Sequence, residues 1–311
     1  MKVTICSFVF VATAAMTTVV SAQFSEDWDD LNGATRWSAP ITAQEDPNIA
    51  FDGSVDYAYD YSVIGAPPAT NTVGGTTIGV AMETNTTDQC PADPLCTDSD
   101  EGEGVAIVPL SALANMPAGD FQLKADMYLY WNGGSGSTEY GTLGVFSGGT
   151  AAPIRFNIDN GDGLAWQVDT DGDTATDILR FENPPGSETG LGGYEDIPDG
   201  SIPGVGTGGA LQLGPFNQWV EMEIRSVAGI VTYRMNNFVI DTFDNSGGAF
   251  TVGRLLLGQS DPFNSVNPDD VNGNSNVAVF DNVRLIIPEP SCLVLLGMAG
   301  LGMIGMRRRR V

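Results

Sequence analysis

Asp120-Phe121-Gln122-Leu123-Lys124-Ala125-Asp126-Met127-Tyr128-Leu129-Tyr130-Trp131 alternates in polarity from end to end. Phe121, Leu123, Ala125, Met127, Leu129 and Trp131 fall on one side of an extended chain, and Gln122, Lys124, Asp126, Tyr128 and Tyr130 on the other. A period of two places successive side chains on opposite faces of a strand, so the stretch reads as a half-buried β-strand and not as a helix. The same period runs through residues 55–62, where Val55, Tyr57, Tyr59 and Tyr61 share a face. In residues 218–226, Val220, Met222 and Ile224 oppose Trp219, Glu221, Glu223 and Arg225. Residues 230–235 and 238–243 flank Asn236-Asn237, a dipeptide that accepts positive φ and predicts a tight hairpin. Residues 252–257 and 277–287 follow, with further strands predicted at 77–83, 141–146, 154–158, 164–168 and 178–181. The one short helix candidate is 110–116, opened by Ser111 and stopped by Pro117. Many strands, glycine-rich turns and almost no helix predict an all-β fold of two packed antiparallel sheets, a jelly-roll sandwich.

The two ends read differently. Lys2 precedes an apolar run, residues 3–20, and Val20-Ser21-Ala22 supplies the small residues a signal peptidase needs, so residues 1–22 read as a secretory signal peptide. At the other end Pro288-Glu289-Pro290 precedes a mostly apolar run, 291–306, and then Arg307-Arg308-Arg309-Arg310. As a helix the 16-residue run spans about 24 Å, enough for a single transmembrane segment once the bilayer thins and the arginines snorkel. The arginines belong on the cytoplasmic side, which places the rest of the chain outside. Residues 288–311 resemble the bacterial PEP-CTERM sorting signal, in which a Pro-Glu-Pro motif, one transmembrane helix and a basic cluster follow one another. The resemblance implies recognition and cutting by an exosortase, with delivery to the cell surface or the extracellular matrix. Signal peptidase and exosortase are then the processing partners, and residues 23–287 form one β-sandwich ectodomain.

All the acids but Glu289 and all the bases but Lys2 and the four terminal arginines lie in residues 23–287, which leaves 38 acids against 8 bases, a net charge of −30. Such a surface repels nucleic acid and anionic lipid and suits divalent cations, a saline medium or solubility in a polymer matrix. Cys90 and Cys96 enclose a short loop with two prolines, and an oxidising compartment favours a disulfide between them. The chain has no histidine, which removes Ser-His-Asp and Cys-His catalysis and all His-based metal sites.

A second resemblance rests on Gln218-Trp219-Val220-Glu221-Met222-Glu223-Ile224, on residues 231–240 and on the closing Val279-Phe280-Asp281-Asn282-Val283-Arg284-Leu285. These stretches are similar to concanavalin A-like lectin/glucanase domains, including laminin G-like ones. The resemblance implies that the first and last strands, 24–28 and 280–285, are neighbours. Glu221 and Glu223 share a strand face and read either as a solvated pair or as a catalytic carboxylate pair. The Glu-x-Asp-x-Glu strand motif of the similar glucanases is missing, which favours the solvated pair. Asp169, Asp171, Asp173 and Asp177, with the carbonyl of Ala175, have the 1-3-5-9 spacing of a calcium loop, although Gly172 sits at the fourth position and Arg180 stands where a closing glutamate belongs. They read equally as a turn between two strands. Tyr128, Tyr130 and Trp219 lie outside the presumed core face and read as a sugar platform or as a face covered by loops. The sequence therefore predicts a non-catalytic surface or matrix protein that binds Ca2+ or polysaccharide, with a lectin module as the alternative and a glycoside hydrolase as a third reading.

Overall fold

The computed structural model describes residues 23–45, 50–72, 74–87, 102–117, 119–131, 139–155, 161–170, 177–183, 186–198, 200–203, 205, 214–263 and 276–288. Sixteen strands run through them: β1 (Phe24–Glu26), β2 (Ile41–Gln44), β3 (Ser54–Asp60), β4 (Ile78–Glu83), β5 (Glu103–Ile107), β6 (Asn115–Met116), β7 (Phe121–Tyr130) and β8 (Tyr140–Ser147), then β9 (Gly163–Asp169), β10 (Ile178–Asn183), β11 (Ser187–Gly192), β12 (Trp219–Val227), β13 (Ile230–Met235), β14 (Phe238–Asp244), β15 (Gly253–Asp261) and β16 (Val277–Ile286). One turn of α-helix, α1 (Gly33–Arg36), and three short 3-10 turns complete the regular structure among the described residues.

The strands form two antiparallel sheets. The first has the order β14-β13-β12-β7-β16-β4-β3, and the second β11-β10-β9-β8-β15-β5-β2. β16 is long enough to serve two neighbours on one edge. Its first half pairs with β4, through Ala278↔Met82 and Phe280↔Val80, and its second half with β1, through Leu285↔Phe24. The first and last described strands are thus adjacent, as the sequence predicts. Asn236 and Asn237 carry φ of 47° and 69° in the β13–β14 hairpin, values that asparagine tolerates better than most side chains.

The inner faces meet as the alternation requires. Leu123, Ala125 and Met127 of β7 and Val220, Met222 and Ile224 of β12 are buried in one cluster with Leu143, Val145, Trp166, Leu255 and Leu257 of the second sheet. Trp166 stacks on Tyr233 with ring centroids 5.1 Å apart and planes within 8° of parallel. Each such leucine, valine, isoleucine or methionine side chain contributes about 1.5–3 kcal/mol on leaving water.

Two sequence expectations are corrected. Residues 110–116 are not a helix: a 3-10 turn, Ala112–Ala114, leads into β6, which pairs with β15. Pairing of Met116 with Gly253 supplies hydrogen bonds that a single helical turn would lack. Val55, Tyr57, Tyr59 and Tyr61 do not share one face. The β3–β4 register shifts between Asp56 and Tyr59, so Val55 and Tyr57 pack on the central core while Tyr59 and Tyr61 join a cluster on the outer side. Ile154 and Arg155 lie in no strand, and residues 156–158 are outside the described residues. So are residues 1–22, Cys90, Cys96, Glu289, Pro290, the run 291–306 and Arg307 to Arg310, and Pro288 is the last residue described. Among the described residues no helix is long and apolar enough to cross a membrane.

Leu123→Ala, at a site with no exposure, is expected to lower unfolding stability by about 2–5 kcal/mol in urea titration. Val252→Ser, at a residue 75% exposed, is expected to change it by less than about 0.5 kcal/mol.

Candidate functional site

The outer face of the first sheet carries an unusual mixture. β7 presents Lys124, Asp126 and Tyr128 there, β12 presents Trp219, Glu221 and Glu223, and the register sets Trp219 opposite Tyr128, Glu221 opposite Asp126 and Glu223 opposite Lys124. β16 adds Val277, Val279 and Asp281, with Asp281 opposite Asp126. The register then shifts before Arg284, and Asn282 takes φ of 51°. This bulge lets Phe280 and Val283 both face the core while Asp281 faces out.

The segment after β3 lies across this face. A 3-10 turn, Tyr61–Ile64, is capped by the Asp60 carboxylate, which accepts from Ser62 N, and ends at Gly65 with φ of 75°. Tyr61, Ile64 and Ala66 pack with Ala81, Tyr128, Val277 and Val279 in an apolar cluster that Trp219 and Tyr130 border. Trp219 meets Tyr61 at 5.0 Å and Tyr128 at 5.3 Å, and its Nε1 donates to Pro67 O at 2.7 Å. Tyr128 is accordingly buried, and the covered reading of these aromatics is the one observed for it.

Carboxylates hold the strap down. Asp126 accepts from Asn71 N at 3.0 Å, from Asn71 Nδ2 at 2.6 Å and from Asn282 Nδ2 at 3.0 Å. Asp281 accepts from Thr72 Oγ1 at 3.2 Å and from Asn282 N at 2.7 Å, and lies 3.0 Å from the Tyr61 hydroxyl. Burial pushes the Asp126 carboxyl above its ordinary range and takes Asp281 up to about 7, with the neighbouring Asp126 adding to that rise.

Beside the strap the face opens into a pocket of about 410 Å³ lined by Thr70, Asn71, Pro203, Glu221, Asn236 and Asn237. Glu221 is fixed in its lining. Its carboxylate meets Lys124 Nζ at 2.5 Å and Arg284 Nη2 at 3.1 Å, and accepts from Asn71 Nδ2 at 3.3 Å. Its backbone N donates to Asn236 Oδ1 at 2.8 Å. Lys124 Nζ also meets Glu223 Oε2 at 3.3 Å, so one ammonium stands between the two glutamates. A glycosidic oxygen would need that place if they acted as a pair.

The calcium-loop residues are only partly placed. Asp171, Asp173 and Ala175 lie outside the described residues. Asp169 and Asp177 are both buried, at the facing ends of β9 and β10, where Asp169 N donates to Asp177 O and the Asp177 carboxylate accepts from Tyr194 N at 2.8 Å. Among the described residues no three acidic or thiol side chains group so as to hold a metal ion. Sequence reasoning missed Asn71, Asp126 and Asp281. One signal was readable: Phe280 and Val283 are apolar three apart, which breaks the alternation and marks a bulge at Asp281-Asn282.

No protein-family model matches the chain, and no curated protein matches it. Solved structures do. It is similar to the carbohydrate binding module CBM66 from Bacillus subtilis at 13% identity, covering 79% of this chain and 96% of that one with a TM-score of 0.38. It is similar to LamAcat from Zobellia galactanivorans at 10% identity, covering 86% and 98% with a TM-score of 0.43. A family 7 alginate lyase is similar at 12% identity, covering 81% and 94% with a TM-score of 0.40. The scores are all below 0.5, so neither ligand nor activity is carried over from them.

The raised Asp281 pKa has a consequence for stability. Between about pH 4 and 7 the folded chain keeps a proton on Asp281 that the unfolded chain has lost, so this residue's contribution falls as pH rises through that window. Asp281→Asn, neutral at all pH, is expected to flatten the loss of melting temperature between pH 4 and 8, as read by circular dichroism. An unchanged pH profile would contradict the burial argument.

Proposed function

We propose that this chain is a non-catalytic exported protein, displayed at the cell surface or in the extracellular matrix, whose sandwich binds polysaccharide at the Glu221–Asn236 pocket. One observation carries the binding reading: the pocket offers a fixed carboxylate together with amide and hydroxyl side chains from Asn71, Asn236, Asn237 and Thr70. Such groups hydrogen-bond sugar hydroxyls as donors and acceptors. They are set by β12, the β13–β14 turn and the strap, so little ordering is left for binding to cost. A net charge of −30 over residues 23–287 favours a neutral polysaccharide over an anionic one. The hydrolase reading is disfavoured because Lys124 occupies the space between Glu221 and Glu223.

Export and sorting are supported by the order of features in residues 1–22 and 288–311. In this proposal signal peptidase removes the first segment. An exosortase acts near Pro288-Glu289-Pro290, and the apolar run holds the chain in the membrane until then, with Arg307 to Arg310 inside.

Two outcomes are expected. On a glycan array the purified chain gives signal on neutral polysaccharides. Asn237→Gly, which keeps the positive φ, and Glu221→Gln each weaken binding at least tenfold; silence on every neutral glycan would remove the binding reading. Replacing Pro288, Glu289 and Pro290 by alanine is expected to leave the unshortened C-terminus in the membrane fraction by mass spectrometry. A wild-type chain recovered unprocessed from the cytosol would remove the sorting reading.

A further inference from the structure

The interior of the sandwich holds a second set of carboxylates, at the end remote from Pro288. Glu103 of β5 and Asp261 of β15 are register partners. Both face the space between the sheets, because Val105, Ile107, Leu255 and Leu257 at alternate positions are in the core. Side chains so opposed have Cβ atoms about 4.5–5.5 Å apart. Glu103 is 1% exposed and Asp261 fully buried, and none of the eight ion pairs among the described residues includes either. Asn85 links them: its N donates to Glu103 Oε2 at 3.0 Å and its Nδ2 to Asp261 Oδ2 at 3.3 Å. Asp52 N and Phe263 N complete the donors. The charged groups around the pair are of the same sign. Asp52 lies beside Glu103, and Glu139 acts on Asp261.

An independent observation falls in the same layer. Gln259 sits one pleat from Asp261 on the same face of β15, and both of its side-chain amide atoms are buried without a hydrogen bond. Thr84 immediately precedes Asn85 and follows the inward-facing Val80 and Met82 in alternation, and its buried hydroxyl also has no partner. An unsatisfied buried polar group costs about 1–3 kcal/mol, and native domains leave few of them.

We propose that Glu103 and Asp261, with the neutral side-chain oxygens of Gln259 and Thr84, form a site for one hard divalent cation of the calcium class between the two sheets. The donors are all oxygen, which selects calcium over metals that need nitrogen or sulfur. Calcium also accepts the irregular, mixed set that two carboxylates, an amide and a hydroxyl provide. The cation would supply the positive charge that no lysine or arginine supplies here and would satisfy the two orphan oxygens. Carboxylates bind a cation in their deprotonated form, so protons compete with it and its effect is largest at the alkaline end. None of these four residues belongs to the 169–177 stretch.

The test is calorimetry and thermal melting of the full chain in calcium chloride or EDTA, at pH 5 and pH 8. Expected are one calcium per chain, a raised melting temperature at pH 8 and a much smaller rise at pH 5. The double variant Glu103→Gln/Asp261→Asn copies the protonated pair. It is expected to melt in EDTA at pH 8 no lower than wild type and to show no calcium shift. Gln259→Leu, which removes one neutral ligand and one orphan, is expected to fold and to weaken calcium binding at least tenfold. Asp171→Asn/Asp173→Asn is expected to keep the shift. No heat and no shift from calcium in the wild type at pH 8 would overturn the proposal. So would a shift that survives in Glu103→Gln/Asp261→Asn, or one lost in Asp171→Asn/Asp173→Asn alone.

Discussion

Asp126 and Asp281 face each other across β7 and β16 on the outer side of a sheet, both buried. Two carboxyls so placed must find hydrogen-bond donors, and the backbone and side chains of a segment laid over them supply them. Residues 61–72 are that segment: Asn71 and Thr72 donate to the two carboxyls, and Asn282 on the bulge joins them. The need to satisfy these acids fixes where the strap runs. Its apolar residues then bury Tyr128, Val277 and Val279 as a second, smaller core.

That placement decides what the face can bind. An open sheet with Tyr128, Trp219 and Tyr130 in a row would offer rings to a sugar chain. Here the strap takes the indole N–H of Trp219 through Pro67 O and covers Tyr128, so the aromatic row serves packing. What stays open is the polar corner past the strap's end, where Glu221 is tied to Lys124 and Arg284. The same ion pairs that hold Glu221 in place take Glu223 into a shared contact with Lys124 and turn the pair away from acid-base work.

Much of the fold was legible in the sequence because period-two alternation is set by backbone geometry. The strand over residues 230–235 was read with its observed ends, and Phe24 was expected beside the last strand, where it pairs with Leu285. Two of the misses share one cause: long-range pairing overrode local pattern. β6 forms at Asn115–Met116 because β15 offers a partner, and the β3 alternation breaks because β4 pairs out of step. β2, β5 and β11 were not read at all. β5 is buried throughout, so Glu103-Gly104-Val105-Ala106-Ile107 shows no half-polar period. The candidate site was less legible. Glu221 was singled out for sharing a face with Glu223, yet its surroundings come from Lys124, Arg284 and Asn71, 97, 63 and 150 residues away in the chain. No local spacing encodes such a set. The buried acids were hidden by abundance, since 38 acids in the ectodomain make any one of them look like surface.

Amide hydrogen exchange at Asn71 bears most directly on the strap, because its N–H donates to the buried Asp126 carboxyl. The expected result is protection comparable to that of the β7 amides, together with loss of that protection in Asp126→Ala. Exchange of Asn71 as free as in an unstructured peptide, while β7 stays protected, would show that the strap does not seal the face.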